Sequence, residues 1–490
     1  MISTKALSGV YNFHSTDSAL IQMFPLRSHD TCAVRPQSRR ASGYRCESTS
    51  NVLTIAAKAN CFNCITVKWS PVVQPLADKR AVLLIVDGMA DRPLIDHDYK
   101  TPLEFANTPN MDRLAKGGLV GQLDPISPGI RAGSDVASLA LLGYDPAKYY
   151  TGRGALEALG AGIELRPGDV AFRCNFATVD DDFRVEDRRA GRIRKGTSKL
   201  AKVVDAIKID SVPGIRTIFK ATVDHRAVLV LRGEKLSRMV SDVDPKEEGA
   251  KIAISRALDG SEEAKRTSAA INEFVKRSHE ALREHPLNQE RANDGEKAAN
   301  IVLTRGAGTI PNLPSFKSMF DLRGCCISGT PMVQGLAMAA GMEVTDVKGA
   351  SGGIKTDYEA KAKAVIEGSK DKNFVLVHVK APDIAGHDGD FKGKVRTLEE
   401  VDGLVGHIID EVDIGLNYVA LTADHATPVG YGAHTGDPVP VIIGGPDVPA
   451  SRVLKLSEAS AARGNLGRIR GLDLMPIITD LVGRSRLYGS

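Results

Sequence analysis

Cysteine, tryptophan and long apolar runs are what this 490-residue chain has least of: seven cysteines, one tryptophan and 5% aromatic residues in all. No stretch approaches the ~20 apolar residues of a membrane-spanning helix, which excludes an integral helical membrane protein. Glycine is frequent, at 47 residues, but follows no three-residue period, which excludes a collagen-like fibre. Charge of one sign is also scarce, with 64 Lys+Arg against 60 Asp+Glu, a formal net charge of +4. That small excess is localised: residues 1–80 hold 10 basic and 4 acidic residues, leaving 54 against 56, a net of −2, in residues 81–490. A body that is mildly acidic overall gives nucleic-acid binding little support.

The first 78 residues read as a leader. They are rich in Ser and Arg, poor in acidic residues, and hold Cys32, Cys46, Cys61, Cys64 and Trp69. This composition fits an organelle transit peptide, plastid or mitochondrial, and a disordered extension on a cytoplasmic protein is the alternative. No apolar run of secretory-signal length occurs near the start. Cys61 and Cys64 form a lone CxxC pair, a weak metal or redox signal without a second pair. The remaining cysteines, Cys174, Cys325 and Cys326, make no disulfide framework and suit a reducing compartment.

The body opens with a continuous apolar run at 81–86 that ends in Asp87-Gly88, as expected of a strand buried on both faces. Further strands are expected at 374–379, 418–422 and 439–443. Helices are expected over 108–114, with Thr108 as N-cap and Pro109 at N1, and over 136–142, 358–368 and 395–412. The β–α alternation predicts an α/β fold with a mostly parallel sheet and helices on both faces. Between about 155 and 320 the texture changes to short alternating strands at 170–179 and 227–231 and a charged helix over 262–285. The domains expected are therefore 79–154 with 321–490, and an inserted α/β domain at 155–320.

Open α/β sheets bind ligands beyond the carboxyl ends of their strands. Asp87, Asp383, His387, Asp424, His425 and His434 all fall on such loops. Three aspartates and three histidines there make a two-metal constellation whose oxygen and imidazole donors suit Mn²⁺, Zn²⁺ or Mg²⁺. Ser134, in the segment PGIRAGSD at 128–135, sits at a helix start, where free N–H groups and the dipole favour a phosphate. Its hydroxyl needs a base or a metal to become a nucleophile. Arginines cluster in DRRAGR at 187–192 and at Arg226, and such forks suit phosphate and carboxylate.

In this order, VDGMADRP (86–93), TPNMDRL (108–114), GSDVASLALLGYDP (133–146), YTGRG (150–154), GDVAFRCNFAT (168–178) and the Asp383, Asp424 and His434 loops resemble the cofactor-independent phosphoglycerate mutases of the archaeal-type branch, in the alkaline phosphatase superfamily. The resemblance implies an alkaline-phosphatase-like sheet domain with an inserted cap that closes over the substrate. It implies two divalent ions, manganese before magnesium, cobalt or zinc, and no need for 2,3-bisphosphoglycerate. One ion would be held by Asp383, His387 and His434, the other by Asp87, Asp424, His425 and the Ser134 oxygen. Family members exchange a phosphoryl group between the 3- and 2-positions of glycerate through a phosphoserine, here on Ser134. Arg153, Arg188, Arg189, Arg192 and Arg226 are the expected clamp on the small-molecule substrate, with Lys348 or Lys355 as the lysine near the phosphate. Neither nucleic acid nor membrane enters as a partner. The same metal scaffold also serves phosphatases, phosphopentomutases and sulfatases, and a metal-free scaffold protein is the non-enzyme alternative.

Overall fold

The computed structural model describes residues 79–412, 415–487 and 489, and the backbone of three strands, Tyr44–Thr49, Val52–Ala57 and Ile65–Lys68. These three pair as an antiparallel sheet within one compact unit, Met1–Leu76; a second unit spans Ala77–Ser490. Apart from those strands, the expectations for the leader, its cysteines and Trp69 lie outside the described residues. No helix among the described residues is long and apolar enough to cross a membrane.

The second unit is mixed α/β. Its larger sheet has eight strands in the order Glu343–Val344, Gly324–Ile327, Phe374–Val379, Arg80–Val86, Asn417–Thr422, Val439–Gly444, Leu119–Asp124, Gly467–Arg470. The first five run parallel. Val439–Gly444 alone is reversed, antiparallel to both its neighbours, a direction that its uniformly apolar sequence does not encode. The central strands Phe374–Val379, Arg80–Val86 and Asn417–Thr422 are buried on both faces, as their mostly apolar sequences require, and their carboxyl ends lie side by side.

Helix ends show where tertiary contacts replaced local signals. Helix Pro109–Gly117 has Pro109 at N1, but Thr108 makes no side-chain cap. Instead the Asp402 carboxylate, from helix Phe391–Glu411, accepts hydrogen bonds from the N–H groups of Asn110 (3.0 Å) and Met111 (2.8 Å). A distant carboxylate thus satisfies the free donors of the first turn.

The smaller sheet is antiparallel, in the order Ile301–Gly308, Val170–Val179, Arg226–Arg232, Arg216–Ala221, with Val185–Asp187 beside Val170–Val179. The alternation expected for Val170–Val179 does not produce a solvated face, because both faces are covered. Phe172, Cys174 and Phe176 pack with Leu200, Val204, Ile271 and Phe274 of helices Thr197–Asp205 and Glu262–Leu282. On the other face Ala171, Val228 and Val230 pack with Ala155 and Ala158 of helix Arg153–Gly160.

That helix joins the two sheets, for its Leu156 belongs to the core of the larger one. It crosses helix Pro331–Ala339 with backbones in contact: a Cβ at Gly160 would lie 1.7 Å from the Pro331 carbonyl oxygen, and one at Gly335 1.8 Å from that of Leu156. Gly160→Ala is therefore expected to destabilise the protein by about 1–3 kcal/mol through overpacking, read as a lower denaturant midpoint. An unchanged midpoint would mean the crossing relaxes freely.

Candidate metal centre and cationic cluster

The adjacent ends of the three central strands set the site. Asp87 follows Arg80–Val86. Asp383 and His387 lie on the short helix Ala381–His387 after Phe374–Val379. Asp424 and His425 follow Asn417–Thr422. Gly88 permits this crowding: its φ is +67°, and a Cβ there would lie 2.7 Å from both the Asp383 Cα and the Thr427 Oγ1.

The six residues converge. His425 Nε2 lies 3.3 Å from Asp87 Oδ1, 3.4 Å from Asp424 Oδ2 and 3.0 Å from Ser134 Oγ. Asp383 Oδ1 lies 3.4 Å from both His387 Nε2 and His434 Nε2, which are 3.2 Å apart. Ligand atoms of Asp87, Asp424 and His425 fall within 4.8 Å of one another, as do those of Asp383, His425 and His434. His425 therefore stands between the two sets, and its ring stacks on that of His434 with centroids 3.5 Å apart.

Two observations fit this donor set to cations. First, each histidine directs Nδ1 outward, His387 to the Gly432 carbonyl (2.8 Å), His434 to the Ala132 carbonyl (2.8 Å) and His425 to Thr427 Oγ1 (3.1 Å). Carbonyl acceptors put the proton on Nδ1 of His387 and His434. Thr427 donates its own proton to Asp383 Oδ1 (2.8 Å), so it accepts one from His425. All three Nε2 lone pairs then face inward, the arrangement that ligating histidines take when outer partners fix the ring. Second, Asp87 Oδ1 and Asp424 Oδ2 are buried without a hydrogen-bond partner. Burial and the neighbouring Asp87 push the Asp424 carboxyl up to about 7. Burial lowers His425 to about 3, leaving a neutral ring suited to ligation. Burial would also raise Asp87, but Lys380, His378 and His425 outweigh it and hold that carboxyl well below the usual range.

Ser134 is the first residue of helix Ser134–Leu141, and Gly133 occupies the N-cap. The serine hydroxyl is therefore not spent on capping and points at His425. Its neighbour Asp135 accepts from the Tyr150 hydroxyl and helps hold Arg153 protonated, so the nucleophile candidate adjoins the cationic cluster.

The expected arginines are placed differently from one another. Arg153 donates to Glu157 (3.0 Å), and Arg226 is largely enclosed beside the same carboxylate. Arg188 grips Asp244 with two bonds (2.9 and 2.7 Å), Arg192 pairs with Asp388 (2.7 Å), and Arg189 is exposed. Sequence reasoning missed Arg173 and Arg305, which lie directly opposite each other on neighbouring strands. Arg226 is opposite Asn175, so all three arginines share the sheet face that carries Ala171 and Val228. Five guanidiniums (Arg153, Arg173, Arg188, Arg226, Arg305) thus surround two carboxylates, Glu157 and Asp244. Nε of Arg173 and of Arg305 and Nδ1 of His225 are buried without a hydrogen-bond partner, the two arginine nitrogens lying 3.6 Å from Glu157 and 3.5 Å from Asp244. Burial, then Arg153 and Arg305, push Arg173 well below its ordinary value. The usable signal was the pattern Phe172-Arg173-Cys174-Asn175-Phe176, polar at every second position within an otherwise apolar strand.

Lys348 and Lys355 are exposed. Lys380 reaches the candidate metal centre instead, with Nζ 2.8 Å from Asp87 Oδ2 and 2.6 Å from Asp383 Oδ2, and His378 Nε2 lies 3.1 Å from the same Asp87 oxygen. Both sit on or next to an all-buried strand, where a polar residue is the signal.

His225 is lowered to about 3 by burial and then by Arg226 and Arg189. Below pH ~6.5 the unfolded chain takes up a proton that the folded protein refuses, so stability falls with pH, by at most about 1.4 kcal/mol per unit, until pH reaches about 3. His225→Gln is expected to flatten the pH dependence of unfolding between pH 6.5 and 4. An unaltered slope would show that His225 titrates normally.

Comparison with known proteins identifies the family. A family model described as 2,3-bisphosphoglycerate-independent phosphoglycerate mutase matches residues 115–288. The 2,3-bisphosphoglycerate-independent phosphoglycerate mutase 1 of Methanothermobacter thermautotrophicus is 49% identical over 412 residues, covering 84% of this chain and 100% of that protein. The corresponding protein of Methanocaldococcus jannaschii is 45% identical, covering 84% and 99%. Among solved structures, a protein from Pyrococcus horikoshii aligns with a TM-score of 0.72 at 37% identity, covering 84% of this chain and 100% of that one. The cofactor-independent phosphoglycerate mutase of Thermoplasma acidophilum aligns with a TM-score of 0.58 at 34% identity, covering 83% and 100%. With relatives this similar matched over their full length, the chain belongs to the 2,3-bisphosphoglycerate-independent phosphoglycerate mutase family.

Proposed function

We propose that the protein interconverts 3-phosphoglycerate and 2-phosphoglycerate through a phosphoserine on Ser134, with two divalent ions and without 2,3-bisphosphoglycerate. The observation that carries this is the placement of the Ser134 hydroxyl, 3.0 Å from His425 Nε2 and next in sequence to the residue that meets the arginine cluster. One set of Asp383, His387 and His434 and another of Asp87, Asp424 and His425 would hold the ions, with Ser134 at the second. When bound, the ions lower the serine pKa and neutralise charge on the phosphoryl oxygens; their oxygen and imidazole ligands favour manganese, with magnesium, cobalt or zinc as substitutes.

The remaining roles belong to the chain. Arg173, Arg226 and Arg305 face the substrate as donors without enough carboxylates to neutralise them, and a molecule carrying both carboxylate and phosphate supplies the missing charge. Ser134 Oγ, giving up its proton, attacks phosphorus in line, its bond forming as that to the glycerate 3-oxygen breaks, and the departing oxygen takes a proton. Glycerate then turns within the arginine cluster. Its 2-hydroxyl, losing a proton, attacks the phosphoserine as the bond from phosphorus to Ser134 Oγ breaks, and the serine oxygen takes a proton back. A mutase must keep water from that intermediate, and Ser134 is only 2% exposed. We assign residues 155–320 as the cap that recognises glycerate, and 79–154 with 321–490 as the part that performs the transfer.

Ser134→Ala is expected to lower turnover of 3-phosphoglycerate to 2-phosphoglycerate by roughly 10³-fold or more while divalent ions still bind. Chelation is expected to abolish activity and Mn²⁺ to restore it. Near-normal turnover by the alanine variant would exclude the covalent route. Release of inorganic phosphate without 2-phosphoglycerate would make the protein a phosphatase instead.

We also propose that the Ser- and Arg-rich leader directs the protein to an organelle and is removed there. Amino-terminal sequencing of the protein from its native cells is expected to find a start near residue 78. An intact Met1 would overturn that reading.

A further inference from the structure

The two aspartates nearest the centre divide their oxygens in the same way. Asp87 presents Oδ1 to His425 (3.3 Å) and Oδ2 to Lys380 (2.8 Å). Asp383 presents Oδ1 to His387 and His434 (3.4 Å each) and Oδ2 to Lys380 (2.6 Å). One ammonium thus takes the outer oxygen of one carboxylate from each ligand set, and leaves the inner oxygens to the imidazole side. The lysine side chain is 12% exposed, and it precedes the helix that carries Asp383 and His387.

We propose that Lys380 is a positioning residue, a built-in cation shared by the two ligand sets. It selects which oxygen each aspartate offers and lowers the site's affinity for divalent ions. The physical ground is charge balance. Asp87, Asp383 and Asp424 lie together in the core, where an uncompensated carboxylate is strongly destabilising. A lysine tethered between two of them supplies one compensating charge at all times, and the same fixed charge repels an arriving dication. The arrangement would let the sheet fold before metal arrives and keep ion binding reversible. The inference rests on the metal-ligand reading above, but not on the identity of the substrate.

The test compares Mn²⁺ binding by full-length wild type, Lys380→Met and Lys380→Arg, by titration calorimetry and by thermal melting with chelator or with saturating Mn²⁺. In Lys380→Met the chelated protein is expected to melt well below wild type, while the Mn²⁺-loaded variant recovers most of the difference. The thermodynamic cycle then requires tighter ion binding, expected to be ~10-fold. Lys380→Arg, which keeps the charge, is expected to bind Mn²⁺ within about threefold of wild type. Should Lys380→Met not fold without metal, it is purified with Mn²⁺ and its affinity read by competition with a chelator. Equal or weaker Mn²⁺ binding by Lys380→Met, or equal loss of melting temperature with and without Mn²⁺, would overturn the proposal. No Mn²⁺ binding by wild type would instead overturn the metal-ligand reading itself.

Discussion

Three carboxylates in a protein core demand compensating charge, and much of this structure is arranged around that demand. Asp87, Asp383 and Asp424 are buried at the ends of three adjacent strands whose own residues are almost wholly apolar. Water cannot screen them there, so partners must. Lys380 and His378 stand on one side, and the three inward-facing imidazoles stand on the other. Thr427 and the carbonyls of Ala132 and Gly432 fix those imidazoles from outside. Even so, two carboxylate oxygens are left without a hydrogen bond, which is the residue of charge that a cation would meet.

The smaller sheet has the opposite problem. Arg173, Arg226 and Arg305 crowd one face, with Arg153 rising from the helix beneath and Glu157 and Asp244 as the carboxylates that pair with them. Positive charge without a partner in an enclosed place is as costly as negative charge, and an anionic ligand relieves both the charge and the unpaired donors. The two imbalances adjoin through Ser134, Asp135, Tyr150 and Arg153. Cations would relieve the first imbalance and an anionic ligand the second. Helix Arg153–Gly160 has a part in each, since it packs on the smaller sheet and contributes Leu156 to the core of the larger.

Most of the fold was legible in the residue pattern. Apolar runs marked the central strands, and the turn pair Asp87-Gly88 marked where the first one ends. Helices were placed to within a few residues, because their periodicity and end signals are local. The reversed direction of Val439–Gly444 was not legible, since an apolar strand reads the same whichever way it runs. Nor was the cap on helix Pro109–Gly117, which Asp402 supplies from 292 residues away. Alternation in Val170–Val179 marked a strand, but not that the face with Arg173 and Asn175 turns to a second packed layer and to the arginine cluster.

At the site, residue type and position after a strand singled out Asp87, Ser134, Asp383, His387, Asp424, His425 and His434, because a ligand on such a loop has a local signature. Their convergence needed the parallel registers of three strands, one of them hundreds of residues before the other two. Arg173, Arg305, Lys380 and His378 carried little such signature: each is a polar residue in or beside an apolar strand, and its partner is set by cross-strand register. The sequence by itself determined which strands and helices form and which chemical groups crowd the ends of those strands, since periodicity, turns and donor type are properties of neighbours along the chain. Only the tertiary structure decided that one lysine spans Asp87 and Asp383 and that the arginines outnumber the carboxylates they pair with, because charge compensation depends on distances between residues that meet only when the sheets pack.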